Sequence, residues 1–132
     1  YESRLVVSPT HRLASQSVIN ASDLADETLI AYPVEQTRLD VIAKFLEPNG
    51  ICPKHIRITE LTAMLIQLVA SERGVSALPD WVASEYEKKG WVVTRTLGQG
   101  VYCQLYAGVR KSSRDVAYVT GFLELLKAIK KP

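Results

Sequence analysis

"ELTAMLIQLVASERGVSALPDW", residues 60–81, sets an almost wholly apolar helical stretch, a glycine, four strand-like residues and a proline in one line. Leu61, Met64, Leu65, Leu68 and Val69 recur on one helical face, and Ala63, Ile66 and Ala70 carry the apolar character round its side. Gln67 and Ser71 leave only a thin polar stripe. A helix this apolar is expected to pack between other elements, so the spacing predicts that residues 62–72 form the most buried helix of the chain. Gly74 is read as its C-terminal stop, and residues 75–78 as a short buried strand.

Working outward, Pro79-Asp80 opens another helix with Trp81, Val82 and Tyr86 inward, closed by Lys88-Lys89-Gly90. Upstream, "KHIRIT" (54–59) alternates as a strand should. Before it, Thr37-Arg38-Leu39-Asp40 has the capping-box form, and Leu39, Ile42, Ala43 and Leu46 follow at helical spacing until Pro48-Asn49-Gly50. A short helical turn near 22–25 precedes a strand at 28–32, and residues 4–8 read as a strand closed by Pro9. Downstream, "WVVTRTL" and "YCQLYAGVR" are strands separated by Gly98-Gln99-Gly100. A last helix is expected over 113–130, capped by Ser112-x-x-Asp115, with Val116, Val119, Phe122, Leu123, Leu126 and Ile129 as its apolar stripe.

From 28 to 95 the order is therefore β-α-β-α-β-α-β. Such alternation gives a mostly parallel sheet with helices on both faces, a three-layer α/β/α lobe. Ligands of these sheets bind outside the carboxyl ends of the strands. Those ends, residues 32–38, 59–62 and 78–80, supply Gln36, Thr37, Arg38, Thr59, Glu60, Thr62, Leu78 and Pro79 to one edge, with Glu35 beside them. Helices starting near 37 and 62 would turn free N–H groups towards that edge, which suits a small carboxylate. The plainer alternative is that Thr37, and Thr59 or Thr62, only cap their own helices.

The chain has 132 residues, 47% apolar and 23% charged, with a formal net charge of +2. That is one core's worth of ordinary globular composition, without the basic footprint of a nucleic-acid surface; Lys127, Lys130 and Lys131 form the one basic cluster. No apolar run approaches the roughly 20 residues of a membrane span. The chain begins "YESRLVVSP", without Met, and reads as a piece of a larger protein. Cys52 and Cys103 belong to no C-x-x-C motif and are expected to be free thiols. Enzyme signatures are thin. Gly74-Val75-Ser76-Ala77-Leu78 lacks the second glycine of a nucleophile elbow. Gly98-Gln99-Gly100 precedes a strand and cannot present a helix N-terminus to phosphate. His11 and His55 have no partners at metal-ligand spacing and are expected on the surface or hydrogen-bonded. No enzyme activity, metal or cofactor is expected.

Three segments resemble the effector-sensing region of LysR-type transcriptional regulators: "LVVSPTHRLA" (5–14), with Arg12 where proline is usual, "INASDLADETLIAYP" (19–33) and "LIQLVASERGVSALPDWV" (65–82). Within that family the resemblance is greatest to regulators of methionine biosynthesis. It implies two lobes, like type 2 periplasmic binding proteins, with the effector between them. Residues 1–8 would be a hinge strand, 9–100 the second lobe, and 101–132 the returning hinge strand and a first-lobe helix. The DNA-binding helix-turn-helix and most of the first lobe would lie upstream. The resemblance also implies a cytoplasmic dimer or tetramer that meets RNA polymerase and senses a small amino-acid-like effector, homocysteine first. Its carboxylate would suit Thr37, Arg38 and Thr62, its ammonium Glu35 or Glu60, and its thiol arm an apolar wall such as Leu78. The competing expectation is a solute-binding protein of a transporter, which shares the fold; the sequence upstream of Tyr1 separates the two.

Overall fold

The computed structural model describes residues 1–129. Lys130 and Lys131 of the basic tail, and the end of the expected last helix, lie outside the described residues. The strands are β1 (Glu2–Val7), β2 (Val18–Ile19), β3 (Thr28–Ala31), β4 (His55–Ile58), β5 (Ser76–Pro79), β6 (Val93–Leu97) and β7 (Val101–Tyr102). Three α-helices accompany them: α1 (Thr62–Ala70), α2 (Asp80–Lys88) and α3 (Ala117–Ala128).

β3 pairs in parallel with β4, and a parallel bridge between Leu29 and Val75 joins it to the start of β5. β1 then runs antiparallel to β5 on one side and to β6 and β7 on the other, and β6 pairs in parallel with β2. The sheet is thus mostly parallel, as expected, with one reversed strand through its middle. β6 and β7 both run against β1, so Gly98-Gln99-Gly100 is a bulging loop between two pieces paired to one strand.

Successive residues of β1 point to opposite faces, as the pleat dictates. Leu5 and Val7 join Leu29, Phe45, Leu46 and Leu97 on one face, while Val6 joins Ile30, Leu65, Ile66, Val69 and Leu78 on the other. The segment 36–49 covers the first face; α1 and α2 cover the second. Three layers result.

Several local expectations are corrected. Helix α1 is the most buried of the α-helices, but Met64 is 52% exposed and Ala63 and Gln67 also face solvent, so the helix is covered on one side only. Trp81 points outward, 56% exposed; Ala83 is the residue of α2 that enters the core. Segment 36–49 is helical without being α: a 3-10 turn (Gln36–Arg38), a π-helical stretch (Val41–Leu46) and a second 3-10 turn (Glu47–Asn49). Pro48 has no N–H to continue an α ladder, and the wide turn followed by a tight one accommodates it. Gly50 then ends the segment in the left-handed region, as expected.

No capping box forms at Thr37, and α3 begins after Val116 without a side-chain cap from Ser112 or Asp115. Gly74 is not the stop of α1. The helix ends at Ala70 with Ser71 as its cap, and Glu72 takes a left-handed conformation. The returning strand is shorter than the stretch "YCQLYAGVR" predicts. Pairing with β1 ends where Tyr1 and Cys103 exchange backbone hydrogen bonds of 2.9 and 2.8 Å. Residues 104–110 lie beyond the start of β1 and pair with no strand among the described residues.

Candidate functional site

The carboxyl ends of β4, β3 and β5 open side by side. Thr59 N–H donates to the Ala31 carbonyl at 2.9 Å; Ile30 N–H donates to the Val75 carbonyl at 2.8 Å and Val75 N–H to the Thr28 carbonyl at 2.9 Å, which holds the start of β5 against β3. Ser76 Oγ also donates to the buried Ile30 carbonyl at 2.7 Å. The three predicted loops therefore share one edge, which the first residues of β1 and the end of β7 extend because β1 is reversed.

Along that edge Gln36, Thr37 and Arg38 are exposed, and among the described residues Arg38 makes no ion pair. Thr59, Thr62 and Pro79 are half-buried and Glu60 is exposed. The Thr62 hydroxyl is already engaged in a short hydrogen bond with the Tyr32 hydroxyl, tying the end of β3 to the first turn of α1. Leu78 does not belong to the edge surface. Its side chain is 1% exposed and packs with Ile30, Leu65 and Val69, because alternation along β5 sends it into the core. It cannot be the apolar wall of a ligand site.

Next to the loop of 32–38 the structure has a concavity that sequence reasoning missed. A cavity of about 400 Å³ is lined by Tyr1, Asp40, Lys44, Cys103, Gln104 and Tyr106, among others. Asp40 and Lys44, at either end of the first π-helical turn, form an ion pair at 3.6 Å. The Cys103 thiol donates to Asp40 Oδ2 at 3.0 Å, and Lys44 Nζ approaches the same sulfur at 3.8 Å and donates to the Tyr102 carbonyl at 3.3 Å. Burial pushes the Cys103 thiol above its ordinary value; donation to Asp40 and that group's charge act the same way, and Lys44 opposes them. Tyr1 is raised as well, by burial first and then by Cys103. Cys103 is therefore held as a thiol beside the Asp40–Lys44 ion pair. No spacing signal joins residue 40 to residue 103; only the fold does.

The histidines stand away from this edge. His11 Nδ1 accepts from the Leu13 N–H at 3.0 Å, so Nε2 carries the proton and donates to Glu27 at 3.2 Å. Arg12 pairs with the same Glu27 at 2.9 Å. Cys52 and Cys103 are free, one exposed and one buried. Among the described residues there is no cluster of His, Cys, Asp and Glu fit for a metal ion, and no helix is long and apolar enough to cross a membrane.

A lobe of this kind, with its reversed strand and its polar carboxyl edge, is that of a periplasmic-binding-protein-like effector domain. The model of the LysR substrate binding domain matches residues 1–130, and the chain belongs to that family. Among named relatives, the HTH-type transcriptional regulator MetR of Escherichia coli K12 is 45% identical over 123 residues, 93% of this chain and 38% of MetR. MetR of Haemophilus influenzae is 41% identical over 129 residues, 97% of this chain and 41% of that protein. The chain thus spans about two fifths of these curated relatives. The regulatory domain of MetR from N. meningitidis superposes with a TM-score of 0.84 at 42% identity, covering 96% of this chain and 58% of that one. The effector binding domain of QuiR, solved with shikimate, shares the fold at a TM-score of 0.69 and 20% identity, over 98% of this chain and 63% of that one.

Proposed function

We propose that this chain is the effector-sensing part of a LysR-type, DNA-binding transcriptional regulator of methionine biosynthesis, with homocysteine as its effector. The observation that carries the proposal is the identity of 45% to a MetR regulator, spread over 93% of the chain on a matching fold. Residues 1–8 and 101–110 serve as the hinge, residues 9–100 as the second lobe, and α3 as part of the first. A DNA-binding domain attached upstream, assembly into a dimer or tetramer, contact with RNA polymerase and a cytoplasmic location complete the proposal. The effector lies against the edge formed by Gln36, Thr37, Arg38, Thr59, Glu60, Thr62 and Pro79. Binding across two lobes favours one of their arrangements, and the DNA-binding domains follow that shift.

Calorimetric titration of the full-length protein with homocysteine tests this. The exposed Arg38 guanidinium is a charge-assisted donor worth on the order of 1.5–3 kcal/mol when engaged. Arg38→Ala is expected to weaken binding about ten- to hundred-fold. An unchanged isotherm in a variant of unchanged melting temperature would remove Arg38 from the site.

A further inference from the structure

We infer that the cavity between Asp40, Lys44 and Cys103 is the seat of an α-amino-acid head group, the ammonium on Asp40 and the carboxylate on Lys44. The inference rests on the effector proposal above and gives the head group of that ligand its holding residues. The cavity, about 400 Å³, lies within the range of small-molecule sites. Its two charges are of opposite sign, 3.6 Å apart, with side chains 36% and 48% exposed.

A pair this open to water gains little from its own contact, so exchanging partners with an incoming zwitterion costs little. The rest of the wall is fixed. Cys103 holds Asp40 from one side, and the Tyr102 carbonyl anchors Lys44 from the other. The π-helical stretch Val41–Leu46, a conformation that recurs at functional sites, is what brings the two charged residues to the strand pair of Tyr1 and Cys103. Arg38, on the exposed loop next to the cavity, is then a second donor to the same carboxylate, beside Lys44.

The experiment uses the full-length protein and three probes: homocysteine, 4-mercaptobutanoate, which lacks the ammonium group, and 3-aminopropane-1-thiol, which lacks the carboxylate. Lys44→Gln is expected to weaken homocysteine about tenfold or more, chiefly through faster dissociation, and to leave the aminothiol unaffected. Asp40→Asn is expected to weaken homocysteine similarly and to leave 4-mercaptobutanoate unaffected. The exchange Asp40→Lys with Lys44→Asp keeps the ion pair, so it should fold normally and lose homocysteine. Wild-type affinity in all three folded variants would overturn the inference and leave the effector proposal standing. If the wild-type protein binds another amino acid instead, homocysteine is wrong and the same variants judge the site with that amino acid. Binding of no amino acid at all by the wild type would sink both.

Discussion

At Gly74 a missing side chain decides how closely two strands approach. A Cβ built there would sit 2.6 Å from the Thr28 carbonyl oxygen and 2.9 Å from the Ile30 side chain. That carbonyl cannot retreat, since it accepts from Val75 N–H at 2.9 Å in the bridge that joins β3 to β5. Gly74→Ala should therefore destabilise the fold by about 1–3 kcal/mol or more, as overpacking does, and lower the urea midpoint without changing the slope. An unchanged midpoint would show that the bridge is slack. Cys103 makes a second prediction. Its folded-state value is raised above 9.0, so between the unfolded and folded values the native state binds more protons than the unfolded state. Stability is thus kept below the unfolded value and lost as pH rises through the folded one. Melting curves from neutral pH to pH about 10 should fall more steeply in wild type than in Cys103→Ser, where no thiol titrates; Tyr1 contributes the same sign to both. Parallel curves would deny the shift.

The contact between β3 and α1 sharpens what a substitution at Thr62 means. Thr62→Ala removes the bond to Tyr32 as well as a possible ligand donor, and should cost about 0.5–1.5 kcal/mol of stability. Tyr32→Phe removes the same bond but keeps the Thr62 hydroxyl. If Thr62 serves the effector, affinity should fall in Thr62→Ala and survive in Tyr32→Phe. Equal losses would make the pair purely structural. At this scale the sequence was informative where physics is local. Alternation and punctuation by Pro and Gly located the strands near 28, 55, 76 and 93, and the apolar period found α1. It was silent where two distant segments decide. The Thr37 box went unused because residues 36–38 form a separate 3-10 turn that begins after Glu35, and Gly74 answers to Thr28 rather than to its own helix. Leu78 was assigned to the ligand edge by its place in a loop list, although its parity along β5 already sent it inward. Asp40 and Cys103 became neighbours only through β7.

Over the whole molecule, α3 stands apart from the sheet. No residue of it is buried, and Phe122, Leu125 and Leu126 are 60%, 67% and 42% exposed. Each forgoes roughly half of the 1.5–3 kcal/mol that full burial would give, so the 132-residue chain alone should self-associate through this face. Sedimentation should show Phe122→Glu with Leu126→Lys reducing that association while the melting temperature of the lobe stays unchanged; association that persists would place it elsewhere. The reversed strand β1 has a consequence for the birth of the protein. Its partners are Leu78 for Arg4, Ser76 for Val6 and Arg95 for Leu5, so β1 is made before them and waits in the middle of the sheet for strands made some seventy to ninety residues later. Distant closure of this kind slows folding, because chain entropy is surrendered before the contacts repay it. On the ribosome the lobe cannot close its sheet until β6 has emerged, and until then Leu5, Val6 and Val7 remain exposed as an open edge, the segment of this chain with most need of a chaperone's cover.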